Sequence, residues 1–252
     1  MTISIPDNNP TFCNTVFHDY FSDTSRLLSL CNSIFNTHQN DPNIVELCTL
    51  QGNFFSDRKN EIACLASNNI FIFVENHTSI NPNITFRFIW YLSQILKNIA
   101  NNKKSRDTKF FSLPSPHCCI FFYGDKNEPF VKELKLSDSF CNYDDTSMEL
   151  VITAYNINPE TNQPLFEKCS YLQDYGRLIA KIKEEINLGF DNHSAISKAI
   201  DFCLENNFMK DYLEKNSKEV FNMLNLQWNS DDALQDSFDD GFENGIEFVA
   251  KI

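Results

Sequence analysis

The chain has 252 residues, 42% of them hydrophobic and 24 of them Phe, and it carries a formal net charge of −13. That suffices for one large domain, or a domain with an appendage, around a sizeable core. No apolar run approaches the ~20 residues of a membrane span, and MTISIPDNNP lacks the basic and apolar parts of a secretory signal, so neither a spanning helix nor export is expected.

The nine cysteines are scattered without CxxC or Cys/His ligand spacing, which points to reduced thiols in a cytoplasmic protein and away from a zinc site. The acidic balance argues against indiscriminate nucleic-acid binding, but the charge is unevenly spread. KNIANNKKSRDTK carries Lys97, Lys103, Lys104, Arg106 and Lys109 against Asp107 alone, whereas Asn229 to Phe248 carries acids only. A near-neutral body with a basic loop and an acidic tail follows.

In chain order, Phe17 to Phe35 has helical apolar spacing, with Ser22 or Asp23 placed to break it into two helices. Ile44 to Leu50 reads as a short strand. Ile62 to Leu65 and Ile70 to Glu75, separated by Ser67-Asn68-Asn69, read as a hairpin. Asn81-Pro82-Asn83 precedes a helix from Ile84 to about Ala100, with Phe88, Ile89, Leu92, Ile95, Leu96 and Ile99 on one broad face. After the basic loop, CCIFFY from Cys118 to Tyr123 is a buried strand, and Leu134 to Leu136 and Leu150 to Tyr155 are further strands. Helices follow at Leu172 to Ile186, Ala195 to Glu205 and Met209 to Leu226. Nearly continuous apolar strands interleaved with helices imply an α/β core covered on both faces, then an all-helical extension. Residues 1–168 form the first region and residues 169–252 the second, with its acidic tail.

The hairpin carries the first candidate site. With a three-residue loop centred on Asn68, Glu61 faces Glu75, and directly opposed residues point to the same side. His77, two residues on, shares that side if the strand continues. Two opposed carboxylates repel, and a hard divalent cation turns the repulsion into a site, because Mg²⁺ takes one or two carboxylates with water and phosphate oxygens. A loop shifted by one residue would put the acids on opposite faces.

The order KNEIACL, FIFVENHTSINPNITFRFIWYLSQIL, SLPSPHCCIFFYG and KELKLSDSF resembles the Rpn family of recombination-promoting nucleases, also described as PD-(D/E)XK nuclease family transposases. The resemblance continues through VITAYNINPETNQPLFEKCSYLQDYGRLIAKIKE into AISKAIDFCLENNFMKDYLEKNSKEVFNML and spans about Asn14 to Leu226. It implies a PD-(D/E)XK restriction-endonuclease-like core, a mixed sheet flanked by helices, in a DNA endonuclease dependent on Mg²⁺, with Mn²⁺ as a substitute. Carried over, the first metal-binding acid of a KND-like context falls on Glu61. The second, of an EHQS-like context, falls on Glu75, and the water-orienting Gln falls on His77.

Three departures stand out. Glu61 is one methylene longer than Asp, His77 replaces Gln, and Asn76 replaces His. Asp57 is a substitute ligand for Glu61. On the following helix Arg87 and Tyr91 are spaced i, i+4, so Arg87 can reach a phosphate, and Lys103, Lys104 and Arg106 can track the DNA backbone. The alternative is a relative without catalysis, binding DNA or protein. The family often ends in acidic, Gly-containing helical repeats. Here DDGFENGIEF remains, which implies a tail able to self-associate into a homo-oligomer or to compete with DNA for the basic loop.

Overall fold

The structure is a computed structural model that describes residues 13–48, 58–59, 61–76, 80, 84–102, 112–140, 147–161 and 163–249; residues 13–14, 58–59, 76, 102 and 230–249 are described as backbone. The chain divides into two units, residues 1–176 and 177–252.

In the first unit a short strand β1 (Cys13–Asn14) leads into α1 (Val16–Phe21) and α2 (Thr24–Phe35). The break between the helices falls at Ser22 and Asp23. Asp23 is extended and its carboxylate accepts from the backbone N–H groups of Ser25 and Arg26, an N-cap that starts α2. Strands β2 (Glu46–Cys48), β3 (Arg58–Lys59), β4 (Glu61–Ala66) and β5 (Asn69–Asn76) follow, then α3 (Ile84–Asn102). The remaining strands are β6 (Ser115–Phe122), β7 (Val131–Lys135) and β8 (Val151–Asn156). β1 pairs with β3, and the other six form one mixed sheet in the order β2-β4-β5-β6-β8-β7. β2, β4 and β5 run as an antiparallel meander; β6 and β8 are parallel to β5, and β7 closes the far edge antiparallel.

The α3 connection between parallel β5 and β6 needs a crossover of this length. Its apolar stripe, Ile84, Phe88, Tyr91 and Ile95, packs on Ile70, Ile72, Val74, Cys118 and Ile120. The other face of the sheet is aromatic: Phe73 and Phe121 lie 5.8 Å apart, and Phe121 meets Phe17 of α1 at 5.6 Å. Both faces of the central strands are therefore covered, which is why β5 and β6 read as unbroken apolar runs.

The short α4 (Leu165–Lys168) precedes α5 (Ser170–Asn187). At Gly176 of α5 a Cβ would sit 2.5 Å from the Ile157 carbonyl oxygen, so only glycine lets the helix approach that backbone. In the second unit α6 (Asn192–Glu205), capped by Asp191, packs with α7 (Lys210–Val249). α7 runs well beyond Leu226 and takes the acidic tail into the same helix. Glu185 accepts ion pairs from Lys181 at 2.7 Å and Lys198 at 3.0 Å. Among the described residues, no helix is long and apolar enough to cross a membrane, and seven cysteines are free.

Candidate active site

The expected hairpin is present, but its turn differs. Ser67 and Asn68 both have positive φ, 48° and 62°, and Ala66 pairs directly with Asn69. A two-residue turn with both central residues in the left-handed region matches the right-handed twist of the flanking strands, and Asn tolerates that region better than most residues. The three-residue loop is thus corrected to two residues, and Asn69 joins β5. The register moves by one: Glu61 pairs with Val74 and not with Glu75. Because strand side chains alternate, that single step sends the two acids to opposite faces of the sheet.

Glu61 opens β4 on the α3 side, in line with Ala63 and Val74, and is 5% exposed. Arg87, in the first turns of α3, brings Nη2 to 3.8 Å from its carboxylate. The same Nη2 donates to the Tyr91 hydroxyl at 3.0 Å, which fixes the guanidinium between the next helical turn and the strand. Burial pushes the Tyr91 phenol above its ordinary pKa, and the charge of Glu61 raises it further, while Arg87 opposes both.

Glu75 sits near the end of β5 on the aromatic side and is 1% exposed. The Tyr175 hydroxyl of α5 donates to its Oε1 at 3.0 Å. Tyr175 is itself wedged against Phe17 at 5.5 Å and Phe21 at 6.5 Å, so the donor is held by ring packing. No local signal marked Tyr175, because it lies 100 residues from its acceptor and belongs to a helix whose apolar spacing explains it as core.

Both acids lie at one end of the sheet, where β4 begins and β5 stops. His77, Asp57, Lys103, Lys104 and Arg106 lie outside the described residues. Among the described residues no group of three or more His, Cys, Asp or Glu side chains is placed to hold a metal ion. The acids are brought to the same end, not to the same side.

A separate polar cleft of about 620 Å³ is lined by Ser29, Asn32, Asn36, Lys168 and Tyr171 and includes neither glutamate. Asn32 there is engaged within its own segment, donating to the Gln39 carbonyl and accepting from Thr37 and the Gln39 N–H. Compared with protein-family models, with curated proteins and with solved structures, the chain matches none.

Proposed function

We propose that this protein is a Mg²⁺-dependent DNA endonuclease on a PD-(D/E)XK core, of the recombination-promoting kind its sequence resembles, acting in the cytoplasm. The observation that carries the reading is the pair of glutamates buried at one end of a mixed, helix-flanked sheet, with Arg87 and Tyr91 beside one of them. Buried carboxylates are costly where packing alone is served, and apolar residues would fill those positions more cheaply. Their cost fits a site that needs negative charge.

Oxygen donors suit Mg²⁺, which proteins hold with one or two carboxylates plus water and phosphate oxygens. Glu61 and Glu75 are donors of that kind, but they lie on opposite faces of the sheet, so an ion would be held by one of them, with water and phosphate oxygens filling the rest of its shell. The bound ion would polarise the scissile phosphate and lower the pKa of a bound water. Glu75 would be oriented by Tyr175, Arg87 would exchange Glu61 for a phosphate oxygen as DNA arrives, and His77 would orient the attacking water. Lys103, Lys104 and Arg106 would follow the backbone without reading sequence.

The register favours a second reading. Each acid points to a different face and already has a partner within the fold, Arg87 for one and Tyr175 for the other. That arrangement suits a nuclease-derived module that binds DNA or protein without cutting. Nicking of supercoiled plasmid in Mg²⁺, in Mn²⁺ and in EDTA, run beside the isosteric Glu75→Gln, separates the two. Metal-dependent nicking that Glu75→Gln abolishes supports the nuclease. No nicking in either metal by a protein with native circular dichroism overturns it in favour of the binding module.

A further inference from the structure

The polar cleft of the first unit serves neither the core nor the nuclease reading. It encloses about 620 Å³ between one face of α2, the loop that follows that helix, and the junction of α4 with α5. On α2, Ser25, Ser29, Asn32 and Asn36 recur three or four residues apart and so line one wall. The volume falls within the roughly 300–1,000 Å³ of small-molecule sites, but such sites are mostly apolar. Here only Leu28, Pro42 and the ring of Tyr171 are apolar; hydroxyls, carboxamides, one imidazole and the charges of Glu167 and Lys168 make up the rest. The loop wall is braced by the fold. Asn32 donates to the Gln39 carbonyl at 2.8 Å and accepts from the Thr37 hydroxyl at 2.8 Å and the Gln39 N–H at 3.2 Å. Asn36 closes α2 in the left-handed region, φ 54°, and at the far end Asp41 accepts from the Asn43 N–H at 3.0 Å. A loop pinned at both ends and in the middle offers its side chains from a set position, which lowers the ordering cost of binding.

The groups left over by that bracing select the ligand. Ser29 donates its hydroxyl to the Cys169 thiol at 3.6 Å and Ser33 donates to the Leu30 carbonyl at 2.7 Å, so each keeps lone pairs that accept. Among the described residues, the side chains of Asn36, His38 and Asn40 make no hydrogen bond within the fold, and a carboxamide both donates and accepts. Glu167 and Lys168 cancel, so with His38 neutral the lining has no net charge. Tyr171, 37% exposed, has its ring steadied by an edge contact with Tyr20 at 6.4 Å. We infer that this cleft binds a neutral sugar of pyranose size. Each sugar hydroxyl donates and accepts, matching the serine lone pairs and the carboxamides. The C–H face of the ring packs on Tyr171, whose π face is negative. An anion would meet one ammonium with a carboxylate beside it, and an apolar ligand would strand the amides without water. The inference stands apart from the nuclease reading, because the cleft includes neither Glu61 nor Glu75.

Saturation-transfer NMR on the full chain tests this, with glucose, galactose, mannose and N-acetylglucosamine as probes and adenosine monophosphate as the anionic comparison. The expected result is transfer to the ring protons of at least one sugar, with a Kd of about 0.1–10 mM, and weaker binding of the nucleotide. Tyr171→Ala and Asn36→Ala should each weaken that sugar about fivefold or more, by removing the stacking ring and a hydrogen-bonding amide. Lys168→Met should change its affinity by less than about twofold, because a neutral ligand has no charge for the ammonium to hold.

No transfer to any of the sugars, a nucleotide bound more tightly than every sugar, or sugar binding that survives Tyr171→Ala unchanged would overturn the inference. So would a greater loss on Lys168→Met than on Tyr171→Ala, since charge would then be holding the ligand. Tyr171 and Asn36 are exposed, so their variants should keep the fold, which circular dichroism checks. The choice between sugar and anion is read on the unaltered protein and holds even where a variant folds poorly. A protein that binds a sugar here and never nicks DNA keeps the cleft and loses the nuclease. One that nicks plasmid and binds no sugar keeps the nuclease and loses the cleft.

Discussion

The two faces of the central sheet bury one glutamate each at the same end, and they stabilise it by different chemistry. On the α3 side the carboxylate has a cation, Arg87, and the sheet's contribution to the core is mainly aliphatic, with Ile70, Ile72, Val74, Ile120 and Ile152 packed under Phe88 and Tyr91 of the helix. On the other side Glu75 has a neutral phenol donor, and the core is a run of rings from Phe17 and Phe21 through Phe73 and Phe121 to Tyr155. A guanidinium matches a carboxylate's charge and can trade that carboxylate for a phosphate. A phenol clamped by rings fixes orientation and has no charge to trade. The α3 side is therefore the one suited to respond to an anionic ligand, and the aromatic side the one suited to hold a group still.

The largest expected effect breaks the aromatic face itself. Phe121→Ala should lower unfolding free energy by about 3–5 kcal/mol, whereas Ile120→Val, the next residue and the opposite face, should cost about 0.5–1.5 kcal/mol; urea melts of the two variants compare the faces directly. Arg87→Met strands Glu61 in a buried site. At 3.8 Å the pair is looser than an ideal one, so the loss should be about 2–3 kcal/mol, below the ~3–5 kcal/mol of a close buried pair.

Tyr175→Phe should cost about 1–3 kcal/mol, since it removes a donor from a buried acceptor, and adding Glu75→Gln should recover part of that loss. The same melts measure both. If Tyr175→Phe is harmless while Arg87→Met is not, the claim that Tyr175 holds Glu75 fails.

Titration gives smaller, directional tests. Tyr91 has its pKa raised above the ordinary value of about 10, so its contribution to stability is present below that pH and is lost as pH rises through the folded value. Glu61→Gln should move the Tyr91 step downward in a tyrosinate absorbance titration and leave Tyr155, half-buried on the opposite face, late. Glu185, outside the sheet, calibrates the acid side. Hydrogen bonds from Lys181 and then Lys198 hold its pKa below the ordinary carboxylate range. Its contribution is present above the unfolded value of about 4.3 and is lost as pH falls through the folded value. Lys181→Met should therefore make acid unfolding of the helical unit begin at higher pH, a shift visible by circular dichroism.

What was legible came from periodicity and caps. The 3.6-residue stripe of α3, the buried runs of β5 and β6, and the stop at Ser22-Asp23 each follow from a few consecutive side chains, so a linear reading finds them. Arg87 and Tyr91 were also within reach, because their contact is local to one helix. The far end of α7 was not, since an acidic stretch with two glycines reads as tail and its helical backbone there is contiguous with an amphipathic start. Tyr175 had no signal, because its partner is remote in the chain.

The amino-acid order by itself determined that β4 and β5 form a hairpin, that α3 crosses over to β6, and that acids end up at one end of the sheet. Those outcomes depend on local pattern and chain length. Only the tertiary structure decided which face each acid uses and what holds it. A turn of two residues or three differs by one peptide unit in the sequence and by a whole face in space, because side chains alternate with a period of two. The choice of turn rests on backbone torsions at Ser67 and Asn68, and the choice of partners on helices packed from distant parts of the chain.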